Sequence, residues 1–328
     1  MRALVTGARG FAGSWLAKLL LAEGAAVISF DRGDERPSGL TLLGVESDVA
    51  AEAGDLCEPG RVEAAIRGHH VDTVFHLAAQ AIVGAANASP LPTFRTNIEG
   101  TWTLLEACRS AGVGAVVVAS SDKAYGPHER LPYAEDAALQ PVYPYDVSKA
   151  AADLIARSYW HSFELPVAVT RFANIYGGGD LNFSRLIPET TTALLDGRRP
   201  EIRSDGSPER DFLYVEDVAR AYLALARAVA EGDARGEAFN AGWGKPNSVR
   251  EVVETICEIS GTDIEPDFQG EGNPSGEIDR QYLESTKIRA VTGWRPEVGL
   301  RAGLERTYEW YREHPEARPE AASVSGRS

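Results

Sequence analysis

From residue 3 to about residue 170, short apolar runs alternate with longer segments whose apolar positions recur at helical spacing. The runs at 3–6, 26–30, 73–77, 115–119 and 167–170 are rich in Val and Ala and bounded by Gly or polar residues, which predicts strands. The segments at 11–23, 59–67, 92–110 and 145–163 predict helices between them. Strand-helix alternation of this length predicts an α/β chain, with a doubly wound parallel sheet covered on both faces.

After Arg171 the alternation breaks down. Gly177-Gly178-Gly179 and Pro- and Gly-rich turns at 196–208 and 270–276 punctuate shorter elements. Helical patterns remain at 215–230 and 248–260, and 285–311 reads as a helix, a Gly-Trp-x-Pro turn and another helix. The expected division is a first domain over 1–175, with a return segment near 209–242, and a smaller C-terminal α/β lobe over 176–312. The tail 313–328, rich in Pro, Ala, Ser and charge, is expected to be disordered.

Composition adds limits. The 328 residues can bury a large core, and 44% hydrophobic with 25% charged content is ordinary for a globular chain. A formal charge of -15, from 33 basic and 48 acidic side chains, argues against nucleic acid or an anionic membrane surface as partner. An anionic ligand must then be held by local donors, such as a helix N-terminus or single arginines. Cys57, Cys108 and Cys257 are far apart and lack metal-ligand spacing, so no metal is expected, and reduced thiols in a cytoplasmic protein are the natural reading. No apolar stretch is long enough to span a bilayer.

Thr6-Gly7-Ala8-Arg9-Gly10-Phe11-Ala12-Gly13 lies between the first strand and the first helix. Such glycines allow a tight turn, close backbone approach to a pyrophosphate, and a helix N-terminus aimed at it. Asp31 follows at the end of the next strand, where a carboxylate accepts from a ribose 2′-hydroxyl and repels a 2′-phosphate. The pattern predicts NAD rather than NADP. Asp55, in a Gly-Asp-Leu turn, is either an adenine contact or a plain turn residue.

A second pattern carries chemistry. Tyr145 and Lys149 stand one helical turn apart on one face, where an ammonium would lower the phenol's pKa and make it a base for a sugar hydroxyl. Ser120-Ser121-Asp122-Lys123 adds a carboxylic acid and an amine that a plain alcohol dehydrogenase does not need. Asp122, kept protonated by burial, can serve as an acid; Lys123 is either a base or a group that positions Asp122 or a water. Asn174, Arg185, Arg210 and Arg280 are candidates to hold a diphosphate. His76, after an apolar strand, reads as a structural, hydrogen-bonded histidine.

These motifs, with His76-Leu-Ala-Ala-Gln80, Asn97, Asn174-x-Tyr176-Gly177, Arg210-Asp211-Phe-x-Tyr-Val-x-Asp217 and Gly293-Trp-x-Pro296, together resemble the extended short-chain dehydrogenase/reductases. The resemblance implies a Rossmann domain with NAD lined by Gly7, Gly10, Phe11, Gly13, Asp31, Asp55, Leu56, Leu77, Ala78, Ala79, Asn97, Tyr145 and Lys149. It implies a C-terminal lobe for a nucleotide-diphosphate sugar, and a homodimer through a four-helix bundle. Trp102, Leu104 and Leu105 would serve either that interface or the core. Asp122-Lys123, Gly10–Leu16, His76–Gln80 and Asn174–Asp180 are similar to nucleotide-sugar 4,6-dehydratases, CDP-glucose 4,6-dehydratase in particular. The implied reaction is oxidation at carbon 4, loss of water across carbons 5 and 6, and reduction at carbon 6. The rivals are a 4-epimerase, a UDP-uronate decarboxylase and a non-catalytic NAD sensor.

Overall fold

The computed structural model describes residues 1–33, 38–270, 272 and 278–319. Seven parallel strands form one sheet: β1 (Arg2–Thr6), β2 (Ala26–Asp31), β3 (Ala50–Ala53), β4 (Thr73–His76), β5 (Ala115–Ala119), β6 (Val167–Phe172) and β7 (Ala238–Ala241), in the order β7-β6-β5-β4-β1-β2-β3. All five expected strands are present. The pattern missed β3, an Ala-Ala-Glu-Ala edge strand with no buried residue, and β7, which arrives long after the alternation ends. The strand order reverses between β1 and β4, and such a reversal opens a crevice at the carboxyl ends of the strands.

The longer helices are α1 (Phe11–Ala22), α2 (Arg61–Gly68), α3 (Gly100–Ala111), α4 (Pro144–Phe163), α5 (Leu186–Leu195), α6 (Val215–Glu231), α7 (Val249–Ser260) and α8 (Leu300–Glu313). Leu16 and Leu20 of α1 pack with Val218, Tyr222 and Leu225 of α6 on one face of the sheet. Ile66 of α2, Leu104 and Leu105 of α3 and Ala156 of α4 fill the other. Leu104 and Leu105 are therefore core; of the three interface candidates only Trp102 is exposed, at 46%. The expected helix over 92–110 is helical throughout, with a π-helical turn at Arg95–Glu99 between a short first segment and α3.

A smaller core of Tyr176, Ile187, Leu194, Phe212, Val252, Ile256 and Leu304 gathers α5, α7 and α8. Two buried aspartates fasten distant pieces to it. Asp211 accepts from the backbone N–H groups of Trp243 and Gly244, each at 3.0 Å. Asp217 accepts from those of Glu297 and Val298, and its carbonyl takes the Trp294 indole N–H at 3.1 Å. The Arg-Asp and Gly-Trp-x-Pro motifs are thus two halves of one joint. The chain beyond residue 312 departs from expectation: Pro315–Ala317 forms a turn, Ala317 is buried, and Arg318 pairs with Asp196 at 3.0 Å. The remainder of the expected disordered tail, 320–328, lies outside the described residues.

Candidate active site

A cleft of about 1170 Å³ runs along the carboxyl ends of the strands. It exceeds the roughly 300–1,000 Å³ of a single drug-sized ligand, so it has room for a dinucleotide and a second molecule. Gly7, Gly10, Phe11, Gly13, Asp31, Asp55, Leu56, Leu77, Ala78 and Ala79 all line one end. Gly7 has φ 75°, and a Cβ there would stand 2.8 Å from the Ala78 nitrogen. A Cβ on Gly13 would overlap the Gly7 carbonyl. Only glycine permits this approach, and the start of α1 has no side-chain cap, which leaves its N–H groups for a phosphate. These residues fit a dinucleotide. Asp55 accepts from the Cys57 N–H at 2.9 Å while it lines the cleft, so the turn role is present.

Asn97 does not line the cleft. Its side-chain oxygen accepts from the Gln80 N–H at 2.8 Å, and its amide donates to the Gln80 carbonyl and to Ser148 Oγ at 3.1 and 2.9 Å. It ties the loop after β4 to α4 from inside the π-helical turn, and so positions the wall rather than the ligand. His76 is structural as expected. It is bonded to Thr6 Oγ1 and Thr101 Oγ1, and burial holds its ring neutral, with the pKa down at about 3.

At the other end, α4 and the turn after β5 bring Ser121, Asp122, Lys123, Tyr145 and Lys149 to one wall. The expected Lys149–Tyr145 coupling is not what is found. Lys149 Nζ donates to the Ala119 carbonyl at 2.8 Å, and burial lowers its pKa to about 8. Burial pushes the Tyr145 phenol up to about 12; Arg185 and a Ser121 hydrogen bond oppose this, while Asp122 and Asp146 add to it. In the protein alone, desolvation and two carboxyls outweigh Arg185 and the Ser121 hydrogen bond.

Asp122 is 3% exposed. One oxygen accepts from Ser121 Oγ at 3.1 Å, and the other, buried, has no partner. Burial raises its pKa against the pull of Lys123, Ser121 and Arg210, the condition for a carboxyl that stays protonated. Asp146 also lines this wall, although the residues singled out from the sequence did not include it. The signal was available, a carboxylate adjoining the tyrosine of the motif itself.

Asn174, Arg185 and Arg210 line the cleft. Arg185 pairs with Asp180 at 2.9 Å, and Arg210 donates to the Glu209 and Asp279 carbonyls. Arg280 does not line it. Its strand pairs with Glu209–Arg210 in a register that sets Arg280 opposite Glu209 and Gln281 opposite Arg210. Side chains alternate along a strand, so Arg280 is turned away from the Arg210 face, where it is exposed and pairs with Glu209. Glu189 and Arg203, also on the cleft wall, were missed for want of any motif around them. Among the described residues, no cluster could hold a metal ion, and no helix is long and apolar enough to cross a membrane.

The NAD dependent epimerase/dehydratase family model matches residues 3–242. A dTDP-glucose 4,6-dehydratase of Streptomyces griseus is 36% identical, over 95% of this chain and 94% of its own. A UDP-glucose 4-epimerase of Mycolicibacterium smegmatis is 35% identical, over 95% of this chain and 99% of its own. The crystal structure of DesIV, a dTDP-glucose 4,6-dehydratase from Streptomyces venezuelae with NAD bound, superposes with a TM-score of 0.87 at 33% identity, covering 96% of this chain and 98% of that one.

Proposed function

The chain belongs to the NAD dependent epimerase/dehydratase family, and from that premise we propose that it is a nucleotide-sugar 4,6-dehydratase. It converts an NDP-hexose of the CDP-glucose kind to the NDP-4-keto-6-deoxyhexose. The observation that carries this reading is Asp122, a buried carboxyl with an unpartnered oxygen on the same wall as Tyr145. NAD, which Gly7, Gly10 and Gly13 would hold at the glycine turn, would supply a reversible hydride acceptor for the sugar.

Tyr145 takes the 4-hydroxyl proton, and Ser121 hydrogen-bonds the same oxygen. Lys149, its Nζ held on the Ala119 carbonyl, keeps an ammonium on the same cleft wall. A carbonyl at carbon 4 acidifies the hydrogen on carbon 5, and Asp122 protonates the departing 6-hydroxyl. Lys123 acts on the carboxyls beside it. Asn174, Arg185 and Arg210 hold the diphosphate. Asp31 selects NAD over NADP, and residues 1–175 with 209–242 serve the cofactor while 176–312 serve the sugar nucleotide. Exposed Trp102 on α3, with Leu154 and Phe163 on α4, supports a homodimer through those helices. A cytoplasmic setting suits three free thiols.

The second reading is a 4-epimerase, favoured by nearly equal identity to an enzyme of that name. Incubation with CDP-, dTDP-, GDP- and UDP-glucose separates the two: a product lighter by one water supports the dehydratase, and a 4-epimer of unchanged mass contradicts it. Tyr145→Phe abolishes oxidation, whereas Asp122→Asn spares oxidation and slows elimination about 10²–10⁴-fold. Equal loss of both steps in Asp122→Asn would contradict this division of labour.

A further inference from the structure

Asp146 is used by no step above. It is 6% exposed, it lines the cleft with Asp122, Lys123 and Tyr145, and no hydrogen bond to it is found among the described residues. A carboxylate in the first turn of a helix is favourable for its own sake. Such a residue is normally solvated or caps a backbone N–H. Asp146 caps nothing, since α4 has no side-chain cap, and at 6% exposure it meets little solvent. A largely buried carboxyl with no protein partner, on the wall of a ligand cleft, is free to act on a ligand.

We propose that Asp146 is the base that removes the proton from carbon 5 of the 4-keto sugar, with Lys123 as the cation serving both carboxyls. The assignment rests on the dehydratase reading above. Asp122 and Asp146 approach the cleft from the two segments that frame Tyr145, one from the turn after β5 and one from α4. Their protonation differs in the useful sense. Burial raises Asp146 only to about 6, against the pull of Lys123 and with the push of Asp122, so it is ionised near neutral pH. The groups that act on it are Lys123 and Asp122, and it acts in turn on Tyr133 and Tyr145.

The step balances. The carbon 5 proton passes to Asp146, its bonding pair becomes the C5=C6 double bond, and the C6–O bond breaks. The leaving oxygen takes the Asp122 proton and departs as water. Asp146 exchanges its proton with solvent through the cleft, returns one to carbon 5 when carbon 6 is reduced, and Asp122 is reprotonated from solvent.

The test uses whichever of CDP-, dTDP-, GDP- or UDP-glucose the wild-type protein dehydrates, in deuterated water. Two quantities are followed, the 4-ketone formed before elimination and deuterium at carbon 5. Asp146→Asn is expected to form the 4-ketone within a few-fold of wild type and to incorporate deuterium about 10²–10⁴-fold more slowly. It also loses the limb of the elimination rate that falls as pH drops through about 6, and Asp146→Glu restores part of both. Deuterium uptake at the wild-type rate with that limb intact would overturn the assignment and leave Lys123 as the base. Parallel loss of ketone formation in a variant that melts as wild type does would overturn it too. Absence of carbon 5 deuterium in a wild-type product from every nucleotide sugar would instead sink the dehydratase reading itself, and the assignment with it.

Discussion

Helix α4 carries buried aspartates near both its start and its middle, and the two are treated in opposite ways. Asp153 is fully buried and saturated: it accepts from Arg171 Nε and Nη2 at 2.7 and 3.2 Å and from Arg157 Nε at 2.8 Å. Arg171 spends its remaining donor on Tyr125 OH and the Glu135 carbonyl. Asp146 has no hydrogen-bond partner among the described residues, Asp122 has one buried oxygen without a partner, and both line the cleft. Burial costs a charge dearly unless its partners are complete. The complete set holds the fold, and the incomplete set is kept for a ligand.

That contrast can be broken first at Asp153. Asp153→Ala leaves Arg171 buried without its counter-charge, and denaturant unfolding is expected to give a loss of about 3–5 kcal/mol. A loss under about 1 kcal/mol would show that saturation does not distinguish the two sites. Asp122→Asn, by contrast, removes no completed partnership, and its stability should stay within about 1 kcal/mol of wild type while elimination collapses. A large destabilisation there would make Asp122 a structural residue.

A third effect concerns pH. Asp146 ionises near 3.8 when unfolded and near 6 when folded, because burial resists its charge. Between those values the folded state binds the extra proton, so stability falls as pH rises through that window. The slope is at most about 1.4 kcal/mol per pH unit. Asp146→Asn should therefore gain on wild type from pH 4 to pH 6, by about 1–3 kcal/mol in all. A constant difference across that range would mean that the carboxyl is not held out of water.

What was legible in the sequence is what the backbone fixes locally. Glycines that turn the chain, as at Gly7, or let backbones meet, as at Gly13, and a Tyr-x-x-x-Lys helix register announce themselves by spacing alone. What was not legible depends on where a side chain ends. Lys149 reaches the Ala119 carbonyl, 30 residues away, rather than the phenol one turn back. Arg210 and Arg280 look alike in the sequence, but the strand register puts only Arg210 on the cleft. The resemblance implies a cofactor role for Asn97, yet tertiary packing spends its side-chain bonds on Gln80 and Ser148. Strand β3 escaped because an edge strand of Ala and Glu has no apolar run to read.

The central claim, that elimination follows oxidation, is tested most directly by following one hydrogen. A nucleotide glucose deuterated at carbon 4 is given to the wild-type protein, and the product is read by NMR. The account predicts deuterium at carbon 6 of a 4-keto-6-deoxy sugar. Deuterium still at carbon 4, in a sugar inverted there and retaining its 6-hydroxyl, would contradict it.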